Sequence, residues 1–185
     1  MADLFKTAER GSAYLDFMRR WCEVAGLALL TLSLEGRAIP QTKAGAPPPD
    51  QGENATVESR TLSVRIDRPF AVVYDFLPDP AHWNAWAFGL GRSLRRSDDG
   101  WIANSGGGLV HIQFTPRNDF GIVDHTVTRV SGRAVYVPMR LIANDRGCEL
   151  LFTLFREPGA TETQFRADAD FVQSDPDRLK GLLEK

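Results

Sequence analysis

The sequence predicts an α+β chain in which a curved, seven-stranded antiparallel sheet wraps one long C-terminal helix. Three observations predict it. One strand-like run stands before two short helices, six further runs follow with only turns between them, and residues 161–185 keep one apolar helical face.

Residues 60–67, RTLSVRID, alternate as a strand. Arg68-Pro69 ends it, because proline lacks an N–H and its fixed φ suits the first turn of a helix. Phe70, Val73, Tyr74 and Leu77 then set an apolar stripe on a short helix. Pro78-Asp79-Pro80 breaks that helix and Asp79 is placed to cap the next, which carries Trp83 and Trp86 three positions apart on a shared face.

The six following runs are 88–97, 101–104, 109–117, 122–130, 134–143 and 148–156. Their separators are turn chemistry, such as Ser97-Asp98-Asp99-Gly100, Asn118-Asp119-Phe120-Gly121 and Asn144-Asp145-Arg146-Gly147. Connections this short join antiparallel neighbours, since parallel strands need long crossovers. After Glu157-Pro158-Gly159, Thr161 and Gln164 have capping-box spacing. Phe165, Ala169, Val172, Leu179 and Leu183 keep one helical face, and Pro176 predicts a kink or a restart at Ser174-Asp175.

Residues 44–56 form a linker whose three consecutive prolines neither continue a helix nor pack a core. It separates a leader, residues 1–43, from the main domain, residues 57–185. Leu4, Phe5, Ala8, Leu15, Met18, Cys22 and Ala25 keep helical spacing, so the leader is expected to be helical. Residues 24–34 form an apolar run too short to span a bilayer, though of the size of a signal segment. Acidic residues upstream and a poor cleavage site at Glu35-Gly36-Arg37-Ala38 favour a cytoplasmic protein, with export as the alternative.

Of the 185 residues 43% are hydrophobic and 25% charged, enough for one domain with a substantial core. The net charge of -2 removes the electrostatic case for a nucleic-acid partner, and Arg92, Arg95 and Arg96 read as a solvated stretch. Cys22 and Cys148 read as two buried thiols of a reducing compartment, a disulfide being the alternative. His82, His111 and His125 fall in three elements without metal-ligand spacing, so no metal is expected. Neither a phosphate loop, a dinucleotide fingerprint nor a nucleophile elbow is present, and no cofactor is expected.

Alternation places His125 with Val123 and Val127 on one face and Asp124 on the other, which denies His125 an orienting carboxylate. His125 is thus either a core histidine or a polar anchor for a ligand, and it is the one candidate acid/base. Trp83, Trp86 and Trp101, with Phe88 and Tyr136, are expected to line an aromatic entrance. Ile112, Phe114, Val137 and Met139, then Phe152, Leu154 and Phe165, are expected to line the inner face. Phe120, at a turn tip, must pack under its loop or cover one end of a cavity.

Four segments carry a family likeness: Ile66-Asp67-Arg68-Pro69, Trp83-Asn84-Ala85-Trp86, residues 117–125 (RNDFGIVDH), and Phe152-Thr153-Leu154-Phe155-Arg156. With the element order, residues 57–185 resemble the helix-grip fold of the START-like or SRPBCC superfamily, and within it bacterial polyketide cyclase/dehydrase-like proteins. The resemblance implies an internal cavity that binds or transfers a small hydrophobic or amphipathic molecule, without catalysis. Two alternatives stand beside it: a cyclase or dehydratase using His125 as acid/base, and an interaction module whose leader helix docks on a partner or membrane.

Overall fold

The protein is described by a computed structural model over residues 56–88, 90, 93–98, 100–105 and 108–185. The expectations for the leader, for nearly all of the linker, for Cys22 and for Arg92 lie outside the described residues. The order is β1 (Ser59–Ile66), α1 (Phe70–Phe76), a 3-10 helix (Pro80–Ala85), β2 (Arg95–Ser97), β3 (Gly100–Asn104), β4 (Leu109–Phe114), β5 (His125–Arg129), β6 (Ala134–Val137), β7 (Met139–Asn144), β8 (Gly147–Phe155) and α2 (Glu162–Leu183).

Among the described residues the strands are eight in two antiparallel sheets, β1-β8-β7 and β2-β3-β4-β5-β6, and not seven in one. The extra strand comes from Pro138, which divides the expected run 134–143 into β6 and β7. Thr153 N–H donates to the Pro138 carbonyl at 3.0 Å, and Pro138 has no N–H to return. One residue on, Met139 N–H donates to Asp124 Oδ1 at 2.8 Å instead of to a ladder partner. The register nevertheless runs through the break, with His125 opposite Val137 on one side and Ile122 opposite Arg140 on the other. Val123 N–H to Met139 O and Leu141 N–H to Gly121 O join the two sheets there.

Other bounds shorten for local reasons. Among the described residues of the expected strand 88–97 only β2 is extended, and Leu90 N–H donates to Ala87 O in a turn ahead of it. The run 109–117 ends at Phe114, ahead of Pro116, and the run 122–130 becomes regular only at His125. Between them the Asn118 side chain closes the loop: Nδ2 donates to Pro116 O and Ile122 O, while Oδ1 accepts from Phe120 N–H and Ile122 N–H. Gly121 has φ 69°, and a Cβ there would lie 2.1 Å from the Leu141 carbonyl oxygen, so only glycine lets the loop dock on β7.

The core lies between the inner face of the sheet and α2. Val110, Ile112, Val127, Leu150, Phe165, Val172 and Leu179 are buried together in it. The helix runs unbroken through Pro176 and does not restart at Ser174-Asp175. Its start is fixed by the expected capping box, with Gln164 N–H donating to Thr161 Oγ1 at 3.3 Å and Thr161 N–H to Gln164 Oε1 at 2.7 Å. Thr161→Ala is therefore expected to lower stability by about 1 kcal/mol, measured as the shift in urea unfolding midpoint.

The same helix also covers the outer edge of β1. Gln173 donates to Ser63 O, Lys180 to Arg65 O, and Asp67 N–H to Glu184 Oε1. Ser63, Arg65 and Asp67 alternate with the residues that bond to β8, so these side chains occupy backbone groups an edge strand would otherwise offer to another chain.

Candidate functional site

The inner face of β5 carries His125, Val127 and Arg129, all buried. Opposite them on β4 stand Phe114, Ile112 and Val110 in register, and β6 places Val137 beside His125. The 3-10 helix closes one side of this face. Asp79 caps it by accepting from Ala81 N–H at 2.9 Å. Trp83 lies in this helix and Trp86 is the residue that follows it, its N–H donating to Trp83 O, and their ring centroids are 4.9 Å apart.

His125 is enclosed by these rings. Its centroid lies 4.9 Å from Trp83, edge to face at 89°, and 5.7 Å from Phe114, leaving the residue 4% exposed. Burial lowers its pKa to about 3, opposed in part by the Val123 backbone, so the imidazole is neutral at ordinary pH. Nδ1 has no neighbour in hydrogen-bonding geometry, and the same holds for Trp86 Nε1. The Trp83 ring is fixed by its own Nε1, which donates to Leu77 O at 2.8 Å.

The structure thus brings Trp83, Trp86, Phe114, His125, Val137 and Ile112 into one buried region. Met139, Leu154 and Phe165 are buried in the same core, and Trp101 and Phe152 are half-buried against it. Arg60 lies over the Phe165 ring at 5.0 Å. Two expectations are corrected. Phe120 is 79% exposed and covers nothing among the described residues, because Asn118 and Gly121 hold the loop backbone without help from its ring. Tyr136 is not part of an entrance either: alternation turns it away from Val135 and Val137, and its hydroxyl donates to Asp124.

Asp124 occupies the outer side of β5, as its parity requires, and is not a partner of His125. Its carboxylate accepts from Tyr136 OH, Arg140 Nη1 and Met139 N–H. This network sits beside Pro138 and serves the break in the sheet. Two further charged residues are buried, Arg129 on β5 and Asp168 on α2. Both were signalled: Arg129 continues the alternation of His125 and Val127, and Asp168 shares the helical face of Phe165 and Val172.

Among the described residues no group of His, Cys, Asp and Glu has the arrangement to hold a metal ion. No described helix is long and apolar enough to cross a membrane. Cys148 is a free, buried thiol whose pKa burial pushes up, which suits packing better than nucleophilic chemistry.

No family model matches the chain, and no curated protein matches it in sequence. Solved structures do match. A protein from Bacillus thuringiensis aligns over 69% of this chain and 100% of its own, at 9% identity with a TM-score of 0.56. DynU16, a protein of the dynemicin biosynthetic locus, aligns over 69% of this chain and 47% of its own, at 17% identity with a TM-score of 0.53. A START superfamily protein from Mycobacterium smegmatis aligns over 68% of this chain and 97% of its own at 9% identity, its TM-score of 0.46 being too low to carry weight. Identities this low speak to architecture alone. The chain has a helix-grip fold, with antiparallel strands packed against a long C-terminal helix.

Proposed function

We propose that the chain binds a small hydrophobic or amphipathic molecule between the inner face of its sheet and α2. The observation that supports this reading is the make-up of that face. Aromatic rings from the 3-10 helix and β4 converge on a neutral histidine, flanked by aliphatic side chains of β4, β5 and β6. Such a face gains from an apolar guest through burial, at about 25 cal/mol per Å² of apolar surface.

The cyclase or dehydratase alternative asks His125 to move a proton. A pKa of about 3 makes its imidazole a weak base, and Trp83 and Phe114 offer no group to orient it. Binding without chemistry therefore accounts for the site more completely. Native mass spectrometry of the full chain, purified without detergent, is expected to show a one-to-one adduct with N-phenyl-1-naphthylamine that a long-chain alcohol displaces. The absence of any saturable adduct with either compound would refute the reading.

A further inference from the structure

Seven large apolar side chains are exposed among the described residues, and three of them, Phe155, Ile142 and Phe120, stand on one line across the outer face of the sheet. On β8, Cys148, Leu150, Phe152 and Leu154 turn into the core, so Leu151, Thr153 and Phe155 turn outward. On β7, Arg140 is opposite Leu151 and Ile142 opposite Glu149, and residues directly opposite share a face. The bridge between Ile122 and Arg140, with Leu141 N–H bonded to Gly121 O, brings the Phe120 backbone level with Ile142. Phe155, Leu151, Ile142 and Phe120 thus trace an apolar diagonal about 22 Å long, from the rise per residue and the spacing between strands. Phe155 is 42%, Ile142 49% and Phe120 79% exposed, and Leu151 is half-buried. Single exposed apolar residues need no explanation, whereas a contiguous line of them marks a surface that is covered by something.

We propose that the cover is this chain's own leader, residues 4–25, which lie outside the described residues. Its apolar stripe, from Leu4 and Phe5 to Cys22 and Ala25, would pack on the diagonal. Length fits, because a helix over these residues is about 33 Å long and spans the line. Position fits as well. β1 begins at Ser59, opposite Phe155, so the chain enters the domain at one end of the diagonal and residues 26–58 supply ample reach. Tethering also gives the leader an effective concentration on the order of millimolar, which a separate molecule lacks. Charge argues against a lipid surface as the leader's partner. Lys6, Arg10, Arg19 and Arg20 are balanced by Asp3, Glu9, Asp16 and Glu23, leaving no basic excess to attract anionic headgroups. The diagonal is on the face of the sheet opposite to His125 and Val127, so the cover is independent of the binding role above.

Cys22 supplies the test, because the other cysteine, Cys148, is buried and its thiol pKa is pushed up. The full chain is labelled at Cys22 with benzophenone maleimide, irradiated and digested with trypsin. Crosslinks are expected within one molecule, to peptides carrying Phe120, Ile142 or Phe155, with a yield independent of protein concentration. Replacing two of these exposed residues together, Phe120→Ser with Ile142→Ser, should lower that yield at least about fivefold. The pair Leu109→Ser with Val130→Ser, also exposed but off the diagonal, should leave it unchanged. Crosslinks between two molecules that rise with concentration would assign the face to a second copy. Loss of the crosslinks on adding vesicles of phosphatidylcholine and phosphatidylglycerol would assign the leader to a membrane. Either result overturns the inference, as do crosslinks that fall elsewhere or that persist undiminished in the Phe120→Ser, Ile142→Ser variant.

Discussion

Replacing His125 with Phe is expected to flatten the acid limb of the protein's stability curve. The folded chain keeps this imidazole neutral down to about pH 3, whereas the unfolded chain takes up a proton near the ordinary value of 6.5. Above 6.5 neither state binds the proton and the group contributes no slope. As the pH falls from 6.5 towards 3, only the unfolded state gains a proton, so His125 withdraws about 1.4 kcal/mol of stability per pH unit. The rings around it, Trp83 and Phe114, carry no charge to offset that penalty. Urea unfolding of wild type and His125→Phe from pH 7.5 to pH 4.5 reads the difference directly. The variant's midpoint should fall less steeply below about pH 6.5, and at neutral pH it should be at least equal to wild type, because an unpaired Nδ1 has been removed. Parallel curves would mean that His125 titrates normally in the folded chain.

Asp124→Ala is expected to destabilise the protein by about 3 kcal/mol. The substitution takes the acceptor from Met139 N–H, Tyr136 OH and Arg140 at once. Arg140 is 39% exposed and recovers water, but the Met139 N–H lies beside the Pro138 break and has no strand partner to return to. Burial holds the Tyr136 phenol above its ordinary pKa, so it remains a donor to the carboxylate across the neutral range. Tyr136→Phe removes one of the three bonds and should cost about 1 kcal/mol. Asp124→Asn keeps an oxygen for Met139 N–H and should fall between the two. Chemical denaturation of the three variants checks the order, and an Asp124→Ala loss no larger than that of Tyr136→Phe would contradict a role in holding the break.

Much of this architecture could be read directly from the chain. Short turns dictated antiparallel neighbours, the Thr161–Gln164 spacing located the start of α2, and alternation placed His125 inward with Asp124 opposed to it. The resemblance carried by residues 57–185 named the architecture that the solved structures share. What escaped the reading depends on contacts distant in sequence. Pro138 looked like one residue in a longer strand, and its effect became visible only with Asp124 beside it to take the Met139 N–H. Phe120, at a turn tip, is expected to pack under its loop or to cover one end of a cavity, yet Asn118 and Gly121 hold the loop without its ring. Pro176 was expected to interrupt α2, but a single missing donor does not end a helix whose face is buried from Phe165 to Leu179. In the candidate site, periodicity gave the direction of each side chain. The pairing of Trp83 N–H with Leu77 O, and the lack of a partner for Trp86 Nε1, are matters of tertiary geometry.

The claim that the space between the sheet and α2 receives a ligand is tested most directly by methyl and aromatic NMR shift mapping during titration with 2-naphthol. The account predicts saturable shifts centred on Trp83, Phe114, Val127 and Phe165, with Phe120 and Val130 unmoved. Shifts confined to those two exposed residues, or none that saturate, would contradict it.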